Sequence, residues 1–143
     1  MRKIVSLLVL LSFGLAGCAT TDIQPLTKTS FKVDTSAAPI CGKSGARKVA
    51  NQIAAIEVIK RGGDRYIIVA DQTGSRLQGV SYNYSYNSGY GYGYGSPQYS
   101  NEQAFIVQML RRGQRGSHNS LSARRTLGPD WKAIVEKGPP KTC

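Results

Sequence analysis

Three cysteines, a single histidine and a surplus of arginine are the residues in this chain that could carry chemistry. Of 143 residues, 19 are Lys or Arg and 8 are Asp or Glu. His118 stands alone between Ser117 and Asn119, so a multi-histidine metal site is ruled out. No Ser/His/Asp or Cys/His spacing sketches a catalytic triad. Glu57 is the one carboxylate within a helical apolar face, and Arg61 follows it four residues later in the order that favours an ion pair. No second carboxylate stands at a spacing suited to paired-acid hydrolysis. Gly89 to Gly95 lacks the Gly-Lys-Ser/Thr ending of a phosphate loop. The residues predict no catalytic centre, no metal site and no enzyme.

The remaining chemistry is that of binding and attachment. Arg111, Arg112, Arg115, Arg124 and Arg125 fall within fifteen residues and could grip phosphates or carboxylates, or form an ordinary solvated loop. Tyr82, Tyr84, Tyr86, Tyr90, Tyr92 and Tyr94 share parity within a Tyr/Gly/Ser/Asn tract over 78–100. As a strand, the tract would line one side with tyrosine, able to stack on sugar rings or to extend a partner's sheet. Gly and Asn disfavour that strand, and biased composition of this kind reads first as a mobile loop.

Cys18 follows Arg2, Lys3 and an apolar run of twelve residues, Ile4 to Leu15, and is preceded by the small residues Ala16 and Gly17. The run is too short to span a hydrocarbon core of about 30 Å. Leu15-Ala16-Gly17-Cys18 resembles the lipobox of bacterial lipoproteins. The resemblance implies cleavage of 1–17, lipid on Cys18 as the sole covalent group, and no other cofactor. Ala19 stands where Asp tends to retain such proteins in the inner membrane, which implies the outer membrane, facing the periplasm. Cleavage removes Arg2 and Lys3 and lowers the formal charge from +11 to +9, a balance that favours anionic neighbours. Nucleic acid is not an expected neighbour in that compartment. With Cys18 lipidated, Cys41 and Cys143 remain for a disulfide in an oxidising space.

Residues 18–26 read as a short tether, and 27–143 as one domain. Thr27 to Asp34 alternates with period two, predicting a strand. Residues 36–43 read as a loop, and Ser44 as the cap of a helix over 45–61. That helix would bury Ala46, Val49, Ala50, Ile53, Ala54 and Ile56 and stop at Gly62-Gly63. Strands are expected over 65–70 and 102–110, a basic loop over 111–125, and a helix or strand over 129–137. The order β-α-β-β plus a short C-terminal element predicts an α+β fold, a small two-layer α/β sandwich. A parallel pairing of the first two strands would make their crossover right-handed.

The segment Ala54-Ala55-Ile56-Glu57-Val58-Ile59-Lys60-Arg61-Gly62-Gly63-Asp64-Arg65-Tyr66-Ile67-Ile68-Val69 is similar to a helix-glycine-strand unit of small uncharacterised proteobacterial envelope lipoproteins. The likeness spans 27–70 and, more loosely, 102–137; Ile56 and the long Tyr/Gly tract depart from it. It implies an address and a fold, and no reaction. The expected function is a non-catalytic outer-membrane component binding protein partners. The alternatives are a cell-wall or anionic-glycolipid module, or a subunit of a secretion, pilus or conjugation machine.

Overall fold

A computed structural model describes residues 19–87, 90–111 and 113–143, with side chains throughout except at 78, 84–87 and 90–94. Cys18, the segment before it and Arg112 lie outside the described residues. One antiparallel sheet of five strands carries the fold: β1 (Ala19–Pro25), β2 (Ser30–Ala37), β3 (Arg65–Asn87), β4 (Tyr90–Leu110) and β5 (Leu121–Ser122), in the spatial order β1-β2-β4-β3-β5. Helices α1 (Gly42–Lys60), α2 (Ala123–Leu127) and α3 (Trp131–Lys137) form the second layer.

Alternation builds the core. Phe31, Val33, Thr35 and Ala37 of β2, and Gln103, Phe105 and Val107 of β4, turn the same way and are buried. Onto them α1 lays Ala46, Val49, Ala50, Ile53, Ala54 and Ile56, all buried, and α2 adds Ala123 and Leu127. Each of the larger apolar side chains contributes roughly 1.5–3 kcal/mol when fully buried. Helix α1 ends in a Schellman motif: Gly62 N donates to Ile59 O at 2.9 Å and Gly63 N to Val58 O at 2.9 Å. Gly62 holds φ at 80°, where a side chain would be strained. At Gly63 a Cβ would come within 2.5 Å of Met109 Cε, so the helix end and β4 meet over bare backbone.

Several expectations are corrected. Within the expected tether 18–26, Ala19–Pro25 form edge strand β1, paired in register with β2 from Ala19↔Ala37 to Pro25↔Phe31. Polar as it is, it needs only a partner edge, and it tucks Ala19 and Ile23 against the core. Strand β2 starts at Ser30 because 27–29 form a turn, with Leu26 N and Thr27 N both donating to Ser30 O at 3.0 Å. At its other end β2 runs on to Ala37, into the expected loop. Helix α1 begins at Gly42 on Cys41, without a side-chain cap, so Ser44 lies inside it. Strands β2 and β3 are not neighbours: β4 sits between them, antiparallel to both, which splits the β-α-β unit. The expected basic loop 111–125 contains β5 and the start of α2; Ser122 caps α2 by accepting from Arg125 N at 3.3 Å. The last element is a helix, α3.

The largest correction is the Tyr/Gly tract. Strands β3 and β4 run through it as one two-stranded ribbon, paired from Arg65↔Leu110 to Asn87↔Tyr90. The register sets Tyr82, Tyr84 and Tyr86 opposite Gly95, Gly93 and Gly91, and sets Tyr94, Tyr92 and Tyr90 opposite Asn83, Ser85 and Asn87. Directly opposed residues share a face, so by backbone position the six tyrosines divide three and three between the two faces. They do not line one side. Even-numbered residues pair with odd-numbered ones here, and parity reverses across the turn.

Cys41 and Cys143 are bonded, with Cα atoms 5.8 Å apart, which ties the C-terminal residue to the start of α1. Beside them, Ala19 N donates to Lys141 O at 2.9 Å.

Tyr66 is fully buried beneath the helices, its hydroxyl 3.2 Å from Thr126 Oγ1. Burial pushes this phenol above its ordinary value of 10.0, and the hydrogen bond to Thr126 works the other way. The folded state therefore holds the proton more tightly than the unfolded chain. The resulting stability is present in full below pH 10 and is lost as pH rises through the folded value. Urea midpoints measured between pH 8 and 11 are expected to fall more steeply for the native chain than for Tyr66→Phe.

Candidate functional site

The sheet has two unlike ends. At one, Ala19, Ala37, Asn101 and Ser75 lie level across four strands. At the other, the β1–β2 turn, the end of α1, the start of β3 and the end of β4 converge on a cleft of about 550 Å³. Five cationic side chains line it: Lys28 from the turn, Arg61 past α1, Arg65 opening β3, Arg111 just past β4, and Arg124 of α2. Asp64 is the only carboxylate in that lining.

Each arginine is placed by its neighbours. Arg61 Nε lies 2.6 Å from Glu57 Oε1, and its guanidinium sits 4.7 Å from the Phe31 ring centre, which fixes it at the floor edge. The pair expected from the i, i+4 spacing is thus formed. Arg65 donates weakly to Ser120 O at 3.5 Å. Asp64 is spent locally: it accepts from Ser122 Oγ at 3.2 Å and from Arg124 N at 3.1 Å, and the Arg124 guanidinium reaches it only at 4.0 Å. Arg124 also lies 5.0 Å from the Trp131 ring centre. Among the described residues, Lys28, Arg65 and Arg111 make no ion pair with a carboxylate. Such a cleft holds more positive charge than its own acids neutralise, and planar guanidiniums suit carboxylates and phosphates.

Of the five expected arginines, Arg111 and Arg124 belong to this cleft. Arg115 and Arg125 are exposed but do not line it. Arg61 and Arg65 flank the short α1–β3 connection, Lys28 comes from the distant β1–β2 turn, and only the fold brings these two segments to the 111–125 run. His118 is exposed on a short 3-10 turn away from the cleft lining.

A second polar group is structural. Gln103 is buried on the core face of β4; its Nε2 donates to Asp71 Oδ1 at 2.6 Å and to Gln72 O at 2.9 Å, and its Oε1 accepts from Thr73 Oγ1 at 2.9 Å. Arg47 of α1 closes the network by pairing with Asp71. Its partners satisfy the Gln103 amide, as a buried amide requires. The open outer face of the sheet carries pairs of its own, Lys32–Asp34 at 2.9 Å and Arg76–Glu102 at 2.9 Å, with Asp22 beside them, so it has no cationic surplus. Among the described residues no three His, Cys, Asp or Glu side chains gather as a metal site, and no helix is long and apolar enough to cross a membrane.

Among the six tyrosines, Tyr82 is the one whose side chain is described. It is 67% exposed and lies over Gly95, where a Cβ would come within 3.3 Å of its ring. Comparison with protein families, with curated proteins and with solved structures finds no match to this chain.

Proposed function

We propose that this chain is a non-catalytic, lipid-anchored component of the bacterial outer membrane that holds an acidic envelope partner in its basic cleft. Lipid on Cys18 fixes the molecule at the Ala19 end of the sheet and leaves the cleft at the opposite end. The observation that carries the binding role is the cleft: five cations around one carboxylate that is already engaged. A protein segment bearing Asp or Glu fits it. The carboxylates of the cell wall fit the same chemistry, and the position away from the anchored end favours them as the second reading.

The test is Lys28→Glu with Arg111→Glu in the lipidated chain. Both side chains are exposed and make no ion pair, so the thermal midpoint is expected to stay within a few degrees. Charge-assisted contacts contribute about 1.5–3 kcal/mol each, so losing two lowers partner retention by tenfold or more. Retention is read as cosedimentation with isolated sacculi and, in parallel, as proteins photocrosslinked from Arg115. Loss of sacculus binding assigns the carboxylates of the cell wall. Loss of one crosslinked protein assigns a protein partner, and its appearance within a large secretion or pilus assembly would name a machine. Unchanged retention in both removes the cleft from the account.

A further inference from the structure

Strands β3 and β4 do not stop where the sheet does. Ala19 and Ala37 lie level with Asn101 and Ser75, and from there the ribbon continues alone through Asn87↔Tyr90. Twelve residues of β3 at about 3.3 Å each make an arm roughly 40 Å long. No residue of 77–101 is charged, in a chain of net charge +11. Among the described residues neither edge of the arm pairs with a further strand. A two-stranded ribbon by itself is marginal in water, so such an arm calls for an environment that covers it.

Its described side chains indicate which environment. Leu77 is 53% exposed, Val80 45%, Tyr82 67% and Tyr99 49%. All four continue the face that Phe105 and Val107 turn toward α1, past the point where that helix begins. Ile40, 76% exposed, stands on the turn Pro39–Cys41, which packs against β4. This is an apolar and tyrosine-bearing surface at one end of the molecule.

That end is also where the chain arrives. Strand β1 runs from Ala19 toward the cleft, so the residue before Ala19 emerges on the side of the arm. The strand starts at Ala19 and leaves no slack between Cys18 and the body. Resting on the lipid-anchor reading above, we infer that the arm lies in the interfacial zone of the phospholipid bilayer that holds the anchor. With no tether to lift the body, an arm of roughly 40 Å on the anchored side meets the headgroups. A lone ribbon does not cross the hydrocarbon, because its unpaired edge N–H and C=O groups would have no partner there. At the interface those edges stay hydrated, while the Tyr82 and Tyr99 rings sit at the level they favour and Leu77, Val80 and Ile40 reach the upper acyl region. The arm thereby supplies a second membrane contact beside the lipid and sets the tilt of the body.

The test uses the lipidated full chain carrying Tyr82→Trp and Trp131→Phe, so that its one indole stands on the arm. It is reconstituted in phosphatidylethanolamine/phosphatidylglycerol vesicles with and without dibrominated acyl chains. The native chain is the control, since Trp131 lies beside Arg124 at the cleft end. The expected result is flotation of both chains with the vesicles, loss of about half of the indole emission from the arm, and no quenching of Trp131 in the control. Flotation with the arm indole as unquenched as Trp131 overturns the inference and leaves the anchor standing. If such samples also crosslink into dimers through the arm, its occupant is a second copy. Failure to float removes the anchor reading and this inference together.

Discussion

Replacing Cys18 by serine, behind a signal cleaved by an ordinary peptidase, is expected to release the protein completely from the membrane fraction with its fold unchanged. Each buried methylene contributes about 0.8 kcal/mol, so the three acyl chains of the proposed anchor would hold the protein more firmly than a surface contact. The body does not depend on that residue: β1 is secured from Ala19 onward by seven register pairs with β2 and by Ala19 N on Lys141 O. Fractionation with circular dichroism checks both halves. Continued membrane retention of the Cys18→Ser chain would show that the arm or another surface, rather than lipid, does the anchoring.

Phe105→Ala is expected to have the largest effect on stability, about 3–5 kcal/mol. Phe105 is fully buried on β4, the central strand of the order β1-β2-β4-β3-β5, facing Val33 in register on one side and Asp71 on the other. The side chain lies between the sheet and α1, with the Arg47 guanidinium 5.9 Å from its ring centre. Truncation leaves a cavity under the helix and loosens the Arg47–Asp71–Gln103 network beside it. Tyr82→Ala on the arm is the matched control and is expected to cost less than about 0.5 kcal/mol, because Tyr82 is exposed. Urea unfolding of the two variants separates the outcomes. A small loss at Phe105 would mean that the layers are not held as described.

What the sequence made legible follows from the range of the interactions. Helix α1 is a local object: its buried stripe, its Gly62-Gly63 stop and its Glu57–Arg61 pair all rest on contacts within one or two turns. The strand cores within 27–34, 65–70 and 102–110 were legible for the same reason, the first from alternation and the other two from short β-rich runs, both of them local signals. The polar strand β1 was not, because nothing in Thr20-Thr21-Asp22 asks for a strand until β2 offers an edge. The arm was hidden by its composition. Glycine disfavours strands one residue at a time, yet Tyr82, Tyr84 and Tyr86 each stand opposite a glycine in register, an arrangement by which aromatics offset glycines in a ribbon. Such an offset exists only once the pairing is known. The cleft was half legible. The run 111–125 announced positive charge, but Lys28 comes from the β1–β2 turn and Arg61 and Arg65 from the α1–β3 connection, two segments that only the split β-α-β topology brings beside that run. Arg115 and Arg125 belong to the same run and lie outside the cleft, so proximity in sequence was a poor guide to proximity in space.

The proposed function rests on the anchor, because lipid at Cys18 would place the Ala19 end of the sheet at the membrane and the cleft at the far end. The measurement that reaches it most directly is the intact mass of the native protein extracted in detergent from its own membranes. The expected mass is that of residues 18–143 plus three acyl chains and their glycerol, with the added mass localised to the N-terminal cysteine by fragmentation. A chain that retains Met1, or one that begins at Cys18 with an unmodified thiol, would contradict it.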